Sequence, residues 1–174
     1  VYTLGRQSHE SNLLLSRAEY TRHGAQVIET DRGGDVTWHG PGQLVGYPIL
    51  RMADFPCGRD VEKYLRALEE VMIRALTGLG LQGERAAGKT GVWVQGAKIA
   101  AIGVKCSRWV TMHGFALNVS PELACFSRIV PCGLSEPVTS IEKLTEAKTP
   151  MNRVKELVLQ SFGDVFACRI IPEA

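Results

Sequence analysis

The run Val92-Trp-Val-Gln-Gly-Ala-Lys-Ile-Ala-Ala-Ile-Gly-Val-Lys-Cys-Ser-Arg-Trp-Val-Thr-Met-His-Gly-Phe-Ala-Leu-Asn-Val119 decides the fold class. Val92 to Val94 is β-prone, Gln95-Gly96 makes a tight turn, and Lys98 to Lys105 is rich in β-branched and small residues, so a hairpin is predicted. A second turn near Ser107 and Arg108 sends the chain back as Trp109 to Val119. Three successive antiparallel strands result, and Lys98 sits on the middle one among small and apolar neighbours.

Working outward, Arg59 to Leu79 carries Val61, Leu65, Leu68, Val71, Met72, Ala75, Leu76 and Leu79 at helical spacing. Glu62, Arg66, Glu69, Glu70 and Arg74 fall on the opposite face, which predicts an amphipathic helix with a solvated charged stripe, ended by Gly78 and Gly80. Downstream, Pro121 to Phe126 suits a helical turn, a helix starts near Ser140, and Met151 to Phe162 behind Pro150 forms a last helix. Upstream, Val1 to Leu4, Ala25 to Thr30 and Leu44 to Leu50 read as strands, with a helix capped by Ser16 that stops near Gly24. The fold class expected is α+β, a mixed and largely antiparallel sheet flanked by helices. With 174 residues the chain forms a single domain, 1–174. Val1 already opens a strand, which leaves room for natural residues ahead of it.

Bulk properties narrow the function. An apolar share of 45% against 22% charged residues is that of a globular protein. The net charge of +2 gives no footprint for nucleic acid or a membrane surface, and no apolar run has the length of a membrane span. Cys57, Cys106, Cys125, Cys132 and Cys168 are an odd set without Cys-x-x-Cys spacing, so reduced intracellular thiols are expected rather than a disulfide framework or a zinc site.

Arg32-Gly-Gly-Asp-Val-Thr-Trp-His-Gly-Pro-Gly-Gln-Leu-Val-Gly-Tyr47 crowds polar groups among glycines between two strands, and it reads as a loop built to hold a ligand. Cys132 lies in Ile129-Val-Pro-Cys-Gly133, a turn punctuated by Pro and Gly. A thiol is a nucleophile only as thiolate, and a nearby ammonium, which Lys98 could supply, favours that form. The plainer alternative is a buried inert Cys132 and a Lys98 that snorkels to water. His39 and His113 each adjoin a glycine, yet a hydrogen-bonded structural histidine is the ordinary case, and two histidines without a third ligand argue against a metal. Trp38 reads as packing, and Cys57, Cys106, Cys125 and Cys168 as bystanders. Lys89 and Lys105 are the rival bases.

These segments, together with Gly91-Val-Trp-Val, Lys98-Ile-Ala-Ala-Ile-Gly103, His113-Gly-Phe-Ala-Leu-Asn-Val119 and Pro131-Cys-Gly-Leu134, resemble the lipoyl(octanoyl) transferase family in order along nearly the whole chain. The resemblance implies the fold of biotin and lipoate protein ligase catalytic domains. It also implies an acyltransferase that moves octanoyl from acyl carrier protein to the target lysine of lipoyl domains, those of 2-oxoacid dehydrogenases and of the glycine cleavage H protein. Cys132 then falls on the acyl-accepting cysteine and Lys98 on the lysine that lowers its pKa. The substrate-binding segments fall on Arg32, Gly33, Gly34, Asp35, Val36, Thr37, Trp38 and His39, on Ala101, Ile102 and Gly103, and on Gly114, Phe115 and Ala116. No cofactor, metal or nucleotide is implied. A cytoplasmic monomer is expected, mitochondrial or plastid if the source is eukaryotic. Ala101 departs from the serine frequent in relatives, which leaves a backbone or packing role there. Val45, Ile49, Ile102 and Phe115 are the residues expected to line an acyl tunnel. An ATP-dependent ligase on the same fold and a non-catalytic lipoyl-domain binding module are the competing readings.

Overall fold

A computed structural model describes residues 1–130 and 137–171. The strands divide over two sheets. The first is small and mixed: β1 (Tyr2–Leu4) lies between β2 (Val27–Glu29), to which it is parallel, and β3 (Thr37–Trp38), to which it is antiparallel. The second is antiparallel, with β4 (Gln43–Gly46), β7 (Val110–Asn118), β6 (Ala97–Ser107) and β5 (Val92–Val94) side by side in that order. Its last three strands are the meander that the turns at Gln95-Gly96 and Ser107-Arg108 predict. A short helix, α1 (Arg17–Arg22), enters through a capping box in which Ser16 and Glu19 satisfy each other's backbone donors.

Two long helices cover one face of the larger sheet. α2 (Val61–Thr77) starts where Asp60 accepts the Lys63 N–H and ends at Gly78. It buries Tyr64, Leu68, Val71, Met72, Ala75 and Leu76 against Val92, Val94, Ala100, Phe115 and Leu117 of the sheet. At about 1.5–3 kcal/mol for each large apolar side chain taken fully out of water, this stripe is the main source of the fold's stability. After the short α3 (Ile141–Thr145), capped by Ser140, α4 (Met151–Phe166) packs beside α2 through Val154, Leu157, Val158 and Phe166, with Phe162 stacked on Phe166 at 4.2 Å between ring centres. A smaller core of Tyr2, Leu4, Tyr20, Val36, Trp38, Cys125 and Ile129 lies under the small sheet.

One expectation about α2 fails. Glu69 is not part of a solvated face: its side chain has 0% exposure. The helical period places it outward, but the chain between α2 and β5 folds over that side and covers it.

Candidate active site

Lys98 reaches its position through a defect in the sheet. Val92 pairs with Ala100 and Trp93 with Lys98, so Ile99 is one residue in excess on β6. Beyond it, Ala100, Ile102 and Val104 turn toward the helices while Ala101, Gly103 and Lys105 turn away. Strict alternation would put Lys98 on the helix side with Ala100. The bulge reverses the parity, as bulges do when they re-aim a side chain. Lys98 therefore shares the far face with Trp93, and its Nζ lies 4.9 Å from the centre of that ring. A cation over an indole face is favoured by the ring quadrupole, and the rest of the lysine is kept from the core.

That far face is made of small residues. Ala101 pairs with Ala116 and Gly103 with Gly114 across β6 and β7. The glycine-rich loop crosses it, with the Gly33 N–H donated to the Val104 carbonyl at 2.8 Å. A methyl group at Gly103 would stand 2.8 Å from the Gly33 carbonyl oxygen, and one at Gly114 would stand 2.1 Å from that of Gly46, so both glycines are imposed by close backbone approach. Arg32, 9% exposed, lies beside Gly103 and donates from its guanidinium to the Thr3 carbonyl and hydroxyl at 2.8 and 2.9 Å and to Gly33 O at 3.1 Å. Burial pushes its pKa down.

A hydrogen-bond relay joins the loop to the lysine strand. The amide of Gln43 donates to the Trp38 carbonyl and to the side chain of Asn118, so its oxygen accepts from His39 Nδ1 at 3.2 Å. Asn118 donates to the Thr139 carbonyl at 3.0 Å, and the Thr139 N–H donates to the carbonyl of Lys98 at 2.9 Å. This fixes the His39 tautomer with its proton on Nδ1, and burial lowers the imidazole's pKa, which keeps the ring neutral near pH 7. His39 is thus the hydrogen-bonded histidine of ordinary experience, in contact with the site's frame.

At one edge of the face, Asp31 is held between Lys105 and His113, with His113 Nε2 at 2.6 Å. Those two partners depress the Asp31 carboxyl to about 2. His113 adopts a φ of 59° within β7, a left-handed conformation that swings its ring to the side of Lys105. Lys105 is consequently ion-paired and a poor general base.

The remaining loop residues divide. Asp35 accepts from Asn12 on both carboxylate oxygens, at 2.9 and 2.7 Å, and from the Val36 N–H at 2.6 Å. Val36 and Trp38 are buried in the smaller core, Trp38 edge-on to Phe126, which supports the packing role read for the tryptophan. Thr37 belongs to β3, and Gly34 turns the chain at φ 86°. Two tunnel-lining expectations are corrected: Phe115 is in the main core and Ile102 packs against it, so only their backbones reach the small-residue face. Val45 and Ile49 are partly exposed.

Cys132 lies outside the described residues. The chain on either side of it is anchored at the site. Val130 donates its N–H to the carbonyl of Asn12, the partner of Asp35, and the Pro137 carbonyl accepts the Lys98 N–H at 2.8 Å. Among the described residues, no three of His, Cys, Asp and Glu gather as a metal site would require. An open hollow at the C-terminal end of α4, lined by Gln160, Asp164, Cys168 and Arg169, belongs to the helix layer on the other side of the sheet.

The fold has known counterparts. The bi-partite lipoate protein ligase of Thermoplasma acidophilum, solved with its E2 lipoyl domain, superposes with a TM-score of 0.80 at 14% identity over 99% of this chain and 69% of that one. The biotin protein ligase of Aquifex aeolicus in complex with biotin and ATP gives 0.61 at 14% identity over 95% and 70%. The fold is therefore that of lipoate and biotin protein ligase catalytic domains. Residues 1–163 match the lipoyl protein ligase A/B catalytic domain, and the chain is 49% identical to the octanoyltransferase of Gloeobacter violaceus over 174 residues, covering 100% of this chain and 75% of that protein. The chain belongs to the octanoyltransferases of that family, which are acyltransferase enzymes.

Proposed function

We propose that this enzyme transfers an octanoyl group from octanoyl-acyl carrier protein to the target lysine of a lipoyl domain, through a thioester on Cys132. The observation that carries the reading is the anchoring of the residues on either side of the segment that holds Cys132, Val130 at Asn12 and Pro137 at the backbone of Lys98. In the first half, the Cys132 thiolate attacks the donor's thioester carbonyl, the sulfur–carbon bond to the carrier breaks, and the departing thiolate takes a proton from the Lys98 ammonium. In the second, the neutral amine of the acceptor lysine attacks the Cys132 thioester, its proton returns to Lys98, and the cysteine leaves again as thiolate. The thioester arrives activated, so no nucleotide is needed.

An unbranched eight-carbon chain gains about 0.8 kcal/mol per buried CH2, which favours a medium-length acyl group. Acceptors in this reading are the lipoyl domains of 2-oxoacid dehydrogenases and the glycine cleavage H protein, and the cytoplasm is the place of action. The bacterial source of the relative supports the last point.

The test is intact-mass analysis after incubation with octanoyl carrier protein, without ATP, before and after adding apo lipoyl domain. An octanoyl adduct that is absent from Cys132→Ser and discharged by the acceptor is expected. Transfer only in the presence of ATP, or no adduct at all, would overturn the reading.

A further inference from the structure

Glu69 is a carboxylate with 0% side-chain exposure on an otherwise surface-facing stripe of α2. Its oxygens each lie 2.9 Å from Arg66 Nη1, Oε2 also accepts from Arg85 Nε at 3.1 Å, and Oε1 accepts the backbone N–H of Gly91 at 3.1 Å. Burying a charge is costly unless it is paired, and the two half-exposed arginines supply that pairing. Arg66 also reaches the Lys89 carbonyl, and Arg85 the Arg66 carbonyl, so helix and loop are laced together. The ion pairs explain why the charge is tolerated. They do not require the fourth bond, to Gly91.

Gly91 is the residue before β5, held at φ 139°, which side chains of ordinary handedness rarely adopt. A Cβ on it would stand 2.9 Å from Cε of Lys98, 3.2 Å from the Trp93 ring and 2.7 Å from the Ala100 carbonyl. Gly91 is thus the wall of the slot through which the lysine tail passes, and Glu69 holds that wall from the opposite layer of the molecule. Geometry in a site matters at the scale of an ångström. We propose that Glu69 is a positioning residue: by fixing Gly91 it sets where the Lys98 ammonium stands over Trp93, and so how far that cation can favour a thiolate. The inference rests on the reading in which Lys98 serves Cys132, and no bond in the reaction is made or broken at Glu69.

The test compares the wild type, Lys98→Ala and Glu69→Gln by the pH dependence of Cys132 alkylation with iodoacetamide, followed by peptide mass mapping. Glutamine keeps an acceptor for Gly91 but turns an NH2 donor toward Arg85, which displaces the loop while leaving α2's apolar stripe intact. Glu69→Gln is expected to raise the alkylation midpoint in the same direction as Lys98→Ala, by about one pH unit, or about tenfold less thiolate near neutrality. A purely structural role would lower the melting temperature and leave the midpoint in place. A Lys98→Ala midpoint equal to the wild type's sinks the proposed function itself. A shift in Lys98→Ala with none in a folded Glu69→Gln sinks only the positioning role. If Glu69→Gln does not fold, Gly91→Ala decides: it leaves every ion pair of Glu69 in place and pushes directly on Lys98, and an unmoved midpoint there overturns the proposal.

Discussion

The Lys98 ammonium stands 4.9 Å from the centre of the Trp93 ring because the turn at Gln95-Gly96 pairs the two residues across β5 and β6. The excess Ile99 just beyond that pair then separates their face from the one to which Ala100 turns. If this cation is what ionises the nucleophile, its removal should matter most where the thiol is otherwise protonated. Lys98→Ala is expected to fold normally and to acylate at least about tenfold more slowly near pH 7, with rates converging with the wild type above about pH 9, where a cysteine ionises unaided. Quenched acylation read by intact mass checks this. Equal rates at neutrality would remove Lys98 from the mechanism.

The relay from His39 through Gln43 and Asn118 to Thr139 should behave as one unit. Asn118 is 4% exposed, and both ends of its amide are used. Asn118→Leu strands the Thr139 carbonyl and one Gln43 donor, which costs about 1–3 kcal/mol. Gln43→Ala should cost less, and the double variant should fall short of the sum by about 0.5 kcal/mol or more, since the two share a bond. Urea unfolding with an unchanged slope gives all three values. Strict additivity would mean that the bond carries no coupling.

How much of this was legible beforehand follows from the range of each interaction. The amphipathic stripe of α2, the Ser16 cap and the turn at Gln95-Gly96 are local, and each stands where the pattern predicts it. The family was legible from the motifs. The bulge at Ile99, the parallel pairing of β1 with β2, the left-handed His113 and the burial of Glu69 were not. Each is imposed by a contact outside the local pattern: the register of Val92 with Ala100 for the bulge, Asp31 for His113, Gly91 for Glu69. A charged residue on a helical stripe reads as solvated until the segment that covers it is known. Pleat parity counted from Lys98 likewise puts Ile102 and its partner Phe115 on the lysine's face unless the excess residue is seen.

The glycines of the small-residue face offer a graded steric test. In both cases the added methyl meets backbone rather than a movable side chain, so relief requires the loop or β4 to shift. Gly103→Ala and Gly114→Ala should each cost about 1–3 kcal/mol, Gly114→Ala the more because its contact with Gly46 is the shorter. Thermal melts check the order. An unchanged melting temperature in both variants would show that the loop does not lie against the sheet in solution.

The Asp31 pair predicts a pH signature of definite sign. Lys105 and His113 hold the folded carboxyl at about 2, below its ordinary value of 3.8. A group whose pKa is depressed by folding contributes stability above its unfolded value and loses it as the pH falls through the folded one. The wild type should therefore exceed Asp31→Asn in stability by a margin that is full just above about pH 4, shrinks between about pH 4 and pH 2 and vanishes below that, and that falls to the contribution of Lys105 in the alkaline range, where a histidine carries no charge. The carboxylate is solvent-exposed, so added salt should reduce the margin throughout. Urea midpoints for both proteins over this range make the comparison, because other carboxylates titrate equally in each. A margin that stays constant down to the acid limit would show that Asp31 acts through its shape and not through its charge.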